Sequence, residues 1–202
     1  MKRWIKKNRL WLGGCFLLIA SAIVVLLLWD PDVNAGKPTL TIETPRRKSA
    51  SHREDFTLDV GISDLGDVLY PAMSMSVSFD PSRLEFLGIE EGNVFILSDE
   101  SPTGRQLPQW SCNVENSNAT GLINVMYLDM TGGRNAFSET LLEEDGNVLL
   151  RFRFRLRGSV REGDVLDIAV EDGVFAATDE GRSLAMTTET LAVKNGKIVI
   201  GE

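Results

Sequence analysis

Residues 73–79 alternate strictly between apolar and small polar side chains, and this period of two strongly constrains the local fold. The apolar members of the run are Met73, Met75, Val77 and Phe79, with a serine at each position between them. Successive side chains of a β-strand point to opposite faces of its sheet, so the run predicts a strand with one buried and one wetted face. Asp80-Pro81 then predicts a turn, because proline presets the turn backbone and cannot donate to a continuing ladder.

Similar runs recur along the chain and predict about nine short strands. The clearest cover residues 39–43 as a first edge strand, 56–63, 94–97, 122–128, 148–157, 165–170 and 198–200. Residues 109–113 and 122–128 predict a hairpin around a turn at 116–121. Outside residues 1–35, no window keeps an apolar period of 3.6 residues long enough for a packed helix, although 137–144 could form a turn or two. The pattern indicates an all-β sandwich.

Five short motifs follow one another between Thr39 and the C-terminus. They are Phe79-Asp80-Pro81-Ser82-Arg83-Leu84-Glu85, Tyr127 to Gly133, Asp145-Gly146-Asn147-Val148-Leu149, Val174-Phe175-Ala176 before the acidic turn Asp179-Glu180-Gly181, and Asn195 to Ile200. Similar motifs occur in the same order in the cohesin domain, and this part of the chain resembles that family. The resemblance implies a jelly-roll sandwich of two facing sheets. It also implies a bacterial module that binds a dockerin domain of another protein, with the calcium on that partner.

The resemblance further implies which face binds. Cohesins use the sheet that contains the strand before the Asp-Pro turn, which here should present Ser74 and Ser76, Met126 from a neighbouring strand, and Asp129 at the strand end. Well-known dockerin-binding cohesins carry Asn and Asp where Ala72 and Ser74 stand in this chain. We therefore expect a less polar contact centred on Met126, with a carboxylate at the rim to meet a basic partner residue.

Residues 1–35 predict a membrane or targeting segment ahead of a domain at 36–202. Five basic residues precede an uncharged run from Leu10 to Trp29. Twenty such residues at about 1.5 Å each span the roughly 30 Å hydrocarbon core. The basic flank predicts a cytoplasmic N-terminus and an extracellular C-terminal domain, anchored by a single pass. The alternative is a signal peptide cleaved after Ala35, which would release the domain.

Charge and residue content argue against several function classes. Residues 1–35 hold five of the 21 basic and two of the 29 acidic residues, so the remainder has a net charge of −11, which does not suit nucleic acid. His52 is the only histidine, and we expect neither a zinc site nor a catalytic triad. We expect no enzyme activity and no cofactor. Cys112 has no cysteine partner outside residues 1–35 and is predicted to be a buried thiol.

Two function hypotheses lead, and a structural ectodomain subunit with a different partner is a third possibility. The leading hypothesis is a membrane-tethered cohesin that scaffolds extracellular proteins linked to polysaccharide degradation. The alternative is a carbohydrate-binding module, which needs a platform of exposed aromatic rings. Finally, four arginines alternate along one predicted strand, and we expect cross-strand pairing with acids such as Asp59 or Glu171 rather than a polyanion groove. They are Arg151, Arg153, Arg155 and Arg157.

Overall fold

The computed structural model describes residues 36–43, 54–132, 134–144 and 146–201. That part of the chain contains twelve strands, one short α-helix and two single turns of 3-10 helix. The strands are β1 Thr39–Ile42, β2 Phe56–Ser63, β3 Ala72–Ser78, β4 Leu84–Glu91, β5 Ile96–Leu97, β6 Arg105–Gln106, β7 Leu122–Leu128, β8 Val148–Leu156, β9 Val165–Ala176, β10 Leu184–Ala185, β11 Ala192–Lys194 and β12 Gly196–Val199. The helix, α1, is Val114–Thr120, and the 3-10 turns are Glu139–Leu141 and Glu180–Arg182.

The larger strands form two sheets. The first sheet has the order β11-β1-β2-β8-β4, and the second has the order β10-β9-β3-β7, with β12 also paired to β9. All of these pairings are antiparallel except that of β1 with β11. The predicted all-β sandwich is confirmed. The prediction that β1 is an edge strand is wrong, because β11 pairs with its outer side.

Aromatic rings from the strands and from the segments between them fill the space between the sheets. One group of rings packs with centroids 5.4 to 6.4 Å apart and comprises Phe56, Phe79, Phe86, Phe152 and Phe154. A second group packs at 5.1 to 6.2 Å and comprises Tyr70, Trp110, Tyr127, Phe137 and Phe175. The apolar side chains at alternate positions of residues 73–79 face this core, as predicted. The serines between them therefore lie on the outside of the second sheet.

The segment expected to be a hairpin turn at 116–121 is instead part of α1. The Asn113 side chain caps the helix by accepting the N–H of Asn116 at 2.9 Å, and Gly121 ends it in the left-handed conformation with φ of 74°. Residues 109–113 likewise form no strand of a hairpin. They meet β7 through a single bridge, in which Ser111 and Met126 exchange N–H···O bonds of 2.9 and 3.1 Å.

Other elements agree with the sequence in kind but differ in extent. The turn predicted within 137–144 is the 3-10 turn Glu139–Leu141. The strand predicted at 165–170 continues to Ala176, because β9 pairs with β12 over its first part and with β3 over the rest. Twelve strands occur rather than about nine. The strand predicted at 94–97 is confined to β5, and β6, β10 and β11 are too short to show a period of two.

No helix in the described part of the chain is long and apolar enough to cross a membrane. The predicted membrane segment at residues 10–29 lies outside the described residues, as does His52.

Candidate functional site

The outer face of β9, β3 and β7, which we call the docking face, is formed by the residues of these strands whose side chains point away from the core. Its outward residues are Ala72, Ser74, Ser76 and Ser78 from β3, Leu122, Asn124, Met126 and Leu128 from β7, and Ala169, Glu171, Asp172, Val174 and Ala176 from β9. Three of the predicted site residues, Ser74, Ser76 and Met126, therefore share one face. Ser74 and Met126 are direct cross-strand partners.

One half of the docking face is apolar. Ser74 lies between Met126 and Val174, and the next row places Ala72 between Leu128 and Ala176. A shallow depression of about 120 Å³ runs over these rows. Met126 and Leu128 are 50% and 52% exposed, which is unusual for large apolar side chains in adjacent outward positions of one strand. Burying them against a partner would remove this apolar surface from water.

The other half of the docking face is polar and acidic. The Ser76 hydroxyl donates to Asn124 Oδ1 at 2.7 Å, and the Ser78 hydroxyl donates to the Glu171 carboxylate. A bulge shifts the β3–β9 register between Ser76 and Val77, and the exposed pair Glu171 and Asp172 falls at this shift. Within the described residues neither carboxylate has an ion pair. Sequence periodicity could not reveal this pair, because the bulge breaks the alternation of β9.

A wall flanks the β7 side of the docking face. Ser111, Asn113 and Asn116 stand along this wall, and a groove of about 560 Å³ separates them from Ser74, Ser76 and other residues of the face. Cys112 also lines the groove and is half-buried rather than fully buried as predicted. Its partial burial raises the pKa of the thiol, so Cys112 stays protonated at neutral pH.

Asp129, the fourth predicted site residue, lies just after the end of β7. Its carboxylate accepts the backbone N–H of Thr131 at 2.8 Å and the Thr131 hydroxyl at 2.6 Å, and its own N–H donates to the Pro71 carbonyl at 2.8 Å. Burial, with a smaller contribution from Asp129, raises the pKa of Tyr127 to about 12. Asp129 therefore holds the turn after β7, a role that the prediction of a rim carboxylate did not include.

The outer face of the first sheet carries the arginine row, and three of its four arginines form ion pairs with described residues. Arg151 Nε lies 3.0 Å from an Asp59 oxygen, as predicted. Arg153 and Arg155 share Asp55 at 3.1 and 2.7 Å. The row also reaches Glu90 and Glu85, at 3.3 and 3.7 Å, and the Leu84 carbonyl, to which Arg157 Nε donates at 3.2 Å. Pairing with Glu171 is wrong, because that residue lies on the other sheet.

The pairing on this face also lowers the pKa of one carboxyl group, that of Asp55. Burial raises the pKa of Asp55, but hydrogen bonds from Arg155 and Arg153 outweigh that effect and leave the pKa below its ordinary value. The two outer faces of the sandwich are thus electrostatically different. The first sheet is internally neutralised, whereas the docking face keeps two carboxylates without an ion pair within the described residues.

Neither a metal site nor an aromatic platform is present in the residues that the structure describes. No three histidine, cysteine or acidic side chains there come together in a way that could hold a metal ion. All aromatic rings described are buried except those of Phe95 and Trp110. The Arg105 guanidinium covers the Phe95 ring at 4.6 Å, and Trp110 stacks on Phe137 with centroids 5.8 Å apart.

Two sheets packed face to face, antiparallel except for the pair of β1 and β11, define a β-sandwich module of the jelly-roll type. One outer face of this sandwich is neutralised, and the other is apolar and acidic. Comparison with solved structures shows that this is the cohesin fold. A type III cohesin from the cellulosomal ScaE cell-surface anchoring scaffoldin of Ruminococcus flavefaciens has a TM-score of 0.55 and 15% identity, over 86% of this chain and 93% of that one.

Two further cohesins of the same fold were solved as complexes. The sixth cohesin of scaffoldin B from Acetivibrio cellulolyticus, in complex with a mutant Cel5 dockerin, has a TM-score of 0.58 and 16% identity over 81% of this chain and 99% of that one. The third ScaC cohesin of the same organism, in complex with a ScaB dockerin, has a TM-score of 0.56 and 13% identity over 82% and 99%. No protein-family model and no curated protein matches the sequence.

Proposed function

We propose that the domain at 36–202 is a non-catalytic cohesin-type module that binds a dockerin-bearing protein through the docking face. The observation that carries this proposal is the difference between the two outer faces. Met126 and Leu128 are half-exposed on the same face as Glu171 and Asp172, whereas the arginine row of the opposite face is satisfied within the chain. An exposed apolar patch beside uncompensated charge is typical of a surface that a partner covers.

The size of the docking face favours a helical partner element. Seven residues at about 3.3 Å each give a length of about 23 Å, and three strands at about 4.8 Å give a width of about 14 Å. A helix with its side chains is about 10 to 12 Å across and would fit along such a strip. The solved cohesins with this fold include complexes with dockerins, which supports assigning the same kind of partner here.

The apolar half supplies the centre of the proposed interface. Affinity in protein interfaces is concentrated in a few central, well-packed contacts that a polar rim shields from water. Met126 lies between the apolar depression and the polar groove, with Leu128 beside it. A partner helix would bury apolar side chains over these residues and place a basic side chain near Glu171 and Asp172.

The proposal extends to the location of the module. The uncharged run at 10–29, with basic residues before it, supports a single-pass anchor that displays the domain outside the cell, where it would scaffold proteins linked to polysaccharide degradation. Cell fractionation tests this part of the proposal. We expect the full chain in the membrane fraction, and a mature protein beginning at Gly36 in the medium would contradict the anchor.

Direct polysaccharide binding finds less support. Trp110, the only tryptophan after residue 35, packs against Phe137 and Tyr127 instead of forming an exposed platform. A screen of soluble polysaccharides belongs beside the protein-binding experiment because it tests this alternative directly.

Calorimetry with the full chain in detergent and a panel of calcium-loaded dockerins tests the proposed partner. The panel should include the ScaB and Cel5 dockerins of Acetivibrio cellulolyticus and dockerin-bearing proteins captured from the source organism. We expect one-to-one binding that a calcium chelator abolishes, since the calcium belongs to the dockerin. Binding of polysaccharide alone, or dockerin binding that substitutions on the docking face leave unchanged, would contradict the proposal.

A further inference from the structure

The five methionines in the described part of the chain differ widely in exposure. Met73 and Met75 face the core and are 1% and 2% exposed, while Met186 is partly buried and packs near Gly173. Met126 is 50% exposed and Met130 is 85% exposed. Met126 and Met130 are therefore the two most exposed methionines in the described part of the chain.

Met126 has a position that Met130 lacks. Its side chain lines both the apolar depression, together with Leu128 and Val174, and the polar groove beside the wall. The two N–H···O bonds with Ser111 hold its backbone on one side, and β3 pairs with the other side of its strand. Met130 follows the end of β7 and lines neither concavity.

We propose that Met126 is a modification site, at which a hydroperoxide oxidises the thioether to the sulfoxide and thereby releases the partner. The proposal rests on the proposed function of the docking face. In the reaction a sulfur lone pair attacks one peroxide oxygen, the S–O bond forms and the O–O bond breaks. The sulfur loses two electrons, the peroxide is reduced, and the proton of the transferred oxygen moves to the leaving oxygen, which departs as water or an alcohol.

The effect of the modification follows from the surroundings of Met126. In the free domain half of the side chain is in water, so the new S=O group can be hydrated and the fold is kept. In the complex the same polar oxygen would face the apolar depression, where an unpaired acceptor is costly. Oxidation should therefore weaken partner binding at least tenfold without unfolding the domain, and a methionine sulfoxide reductase should restore binding.

Graded hydrogen peroxide treatment of the full chain tests the proposal, with Met130→Leu and Met126→Leu as matched variants. Peptide mass mapping gives the oxidised fraction at each methionine, and calorimetry gives the affinity for a dockerin that the untreated chain binds. We expect Met126 and Met130 to oxidise well before Met73 and Met75. The loss of affinity should follow Met126 oxidation, should persist in Met130→Leu, and should be absent when Met126→Leu is compared before and after treatment.

Three results would overturn the inference. They are full oxidation of Met126 with affinity kept within twofold, oxidation of Met126 no faster than that of the core methionines, and peroxide-induced loss of binding in Met126→Leu. If no dockerin binds the untreated chain, the proposed function itself fails. If the untreated chain binds and any of the three results is found, only the modification site fails.

Discussion

Replacing Met126 with aspartate should separate binding from folding. Burial of a whole methionine side chain is worth about 1.5 to 3 kcal/mol, and half of Met126 is already covered in the free domain. Burial of the remaining half against a partner would thus contribute about 1 kcal/mol to the free energy of binding, and Met126→Asp removes this contribution. The new carboxylate would also have to be desolvated without a partner, at a cost of about 1 to 3 kcal/mol or more. We expect dockerin affinity to fall at least tenfold, which corresponds to about 1.4 kcal/mol.

The same substitution should leave the fold nearly intact. The side chain faces outward, and β7 keeps its pairing with β3 and its bridge to Ser111. Strand propensities span about 1 kcal/mol, so the thermal midpoint should fall by no more than about 4 °C. Calorimetry with a dockerin that the wild-type chain binds, and thermal melts by circular dichroism, measure the two effects.

Met130→Asp is the matched control for this experiment. It introduces the same charge at a more exposed methionine outside the strand, and both its affinity and its midpoint should stay near the wild-type values. A Met126→Asp domain that stays folded and binds normally would place the interface elsewhere. A variant that unfolds would refute the assignment of Met126 to the outer surface.

The other predictions concern both faces and the helix. Ala72→Asn combined with Ser74→Asp should raise affinity for the ScaB or Cel5 dockerins at least tenfold in calorimetry, because well-known dockerin-binding cohesins carry this polar pair at the two positions, so the new groups, unlike a carboxylate at position 126, should meet polar groups of the partner; no gain would argue against the alignment. Arg153→Gln should change dockerin affinity by less than twofold, about 0.4 kcal/mol, and a tenfold loss would move the interface to the first sheet. Asn118→Ala should lower the free energy of unfolding in urea by about 1 to 3 kcal/mol, because it leaves the N–H and carbonyl groups of buried Phe86 without the Asn118 amide; an unchanged midpoint would show that water replaces the amide. Asp55→Asn should destabilise the domain at neutral pH, and the difference from wild type should vanish as the pH falls below about 3.8, through the lowered pKa of Asp55; a difference that persists at lower pH would exclude its carboxylate charge as the cause.

Strands in which apolar and polar residues alternate could be predicted from the sequence. Residues 56–63, 73–79 and 150–156 alternate in sequence and in burial, because a single face of each packs on the core. The ion pair between Arg151 and Asp59 could also be anticipated, since it joins adjacent strands. These features depend on the period of two and on charge complementarity, and both can be read from the amino-acid sequence alone.

Features that depend on contacts across the fold could not be predicted in this way. Helix α1 has the sequence VENSNAT, which contains no apolar stripe, and it is stabilised by its caps and by contacts with β4. Glu171 and Asp172 are consecutive and both face outward because of a bulge, which arises only when β9 pairs with β3. Asp129 lies at the end of its strand, as the sequence predicts, but its bonds to Thr131 depend on the conformation of the following turn.

The contact between α1 and β4 has a consequence for self-association. Asn118 Oδ1 accepts the N–H of Phe86 at 2.9 Å, and its Nδ2 donates to the Phe86 carbonyl at 2.7 Å, so one side-chain amide satisfies the backbone groups that a neighbouring strand would otherwise pair with. Open strand edges recruit strands from other molecules and start aggregation. Loss of this amide should therefore expose a template for intermolecular β-pairing, and destabilised forms of the domain should precipitate before they unfold completely.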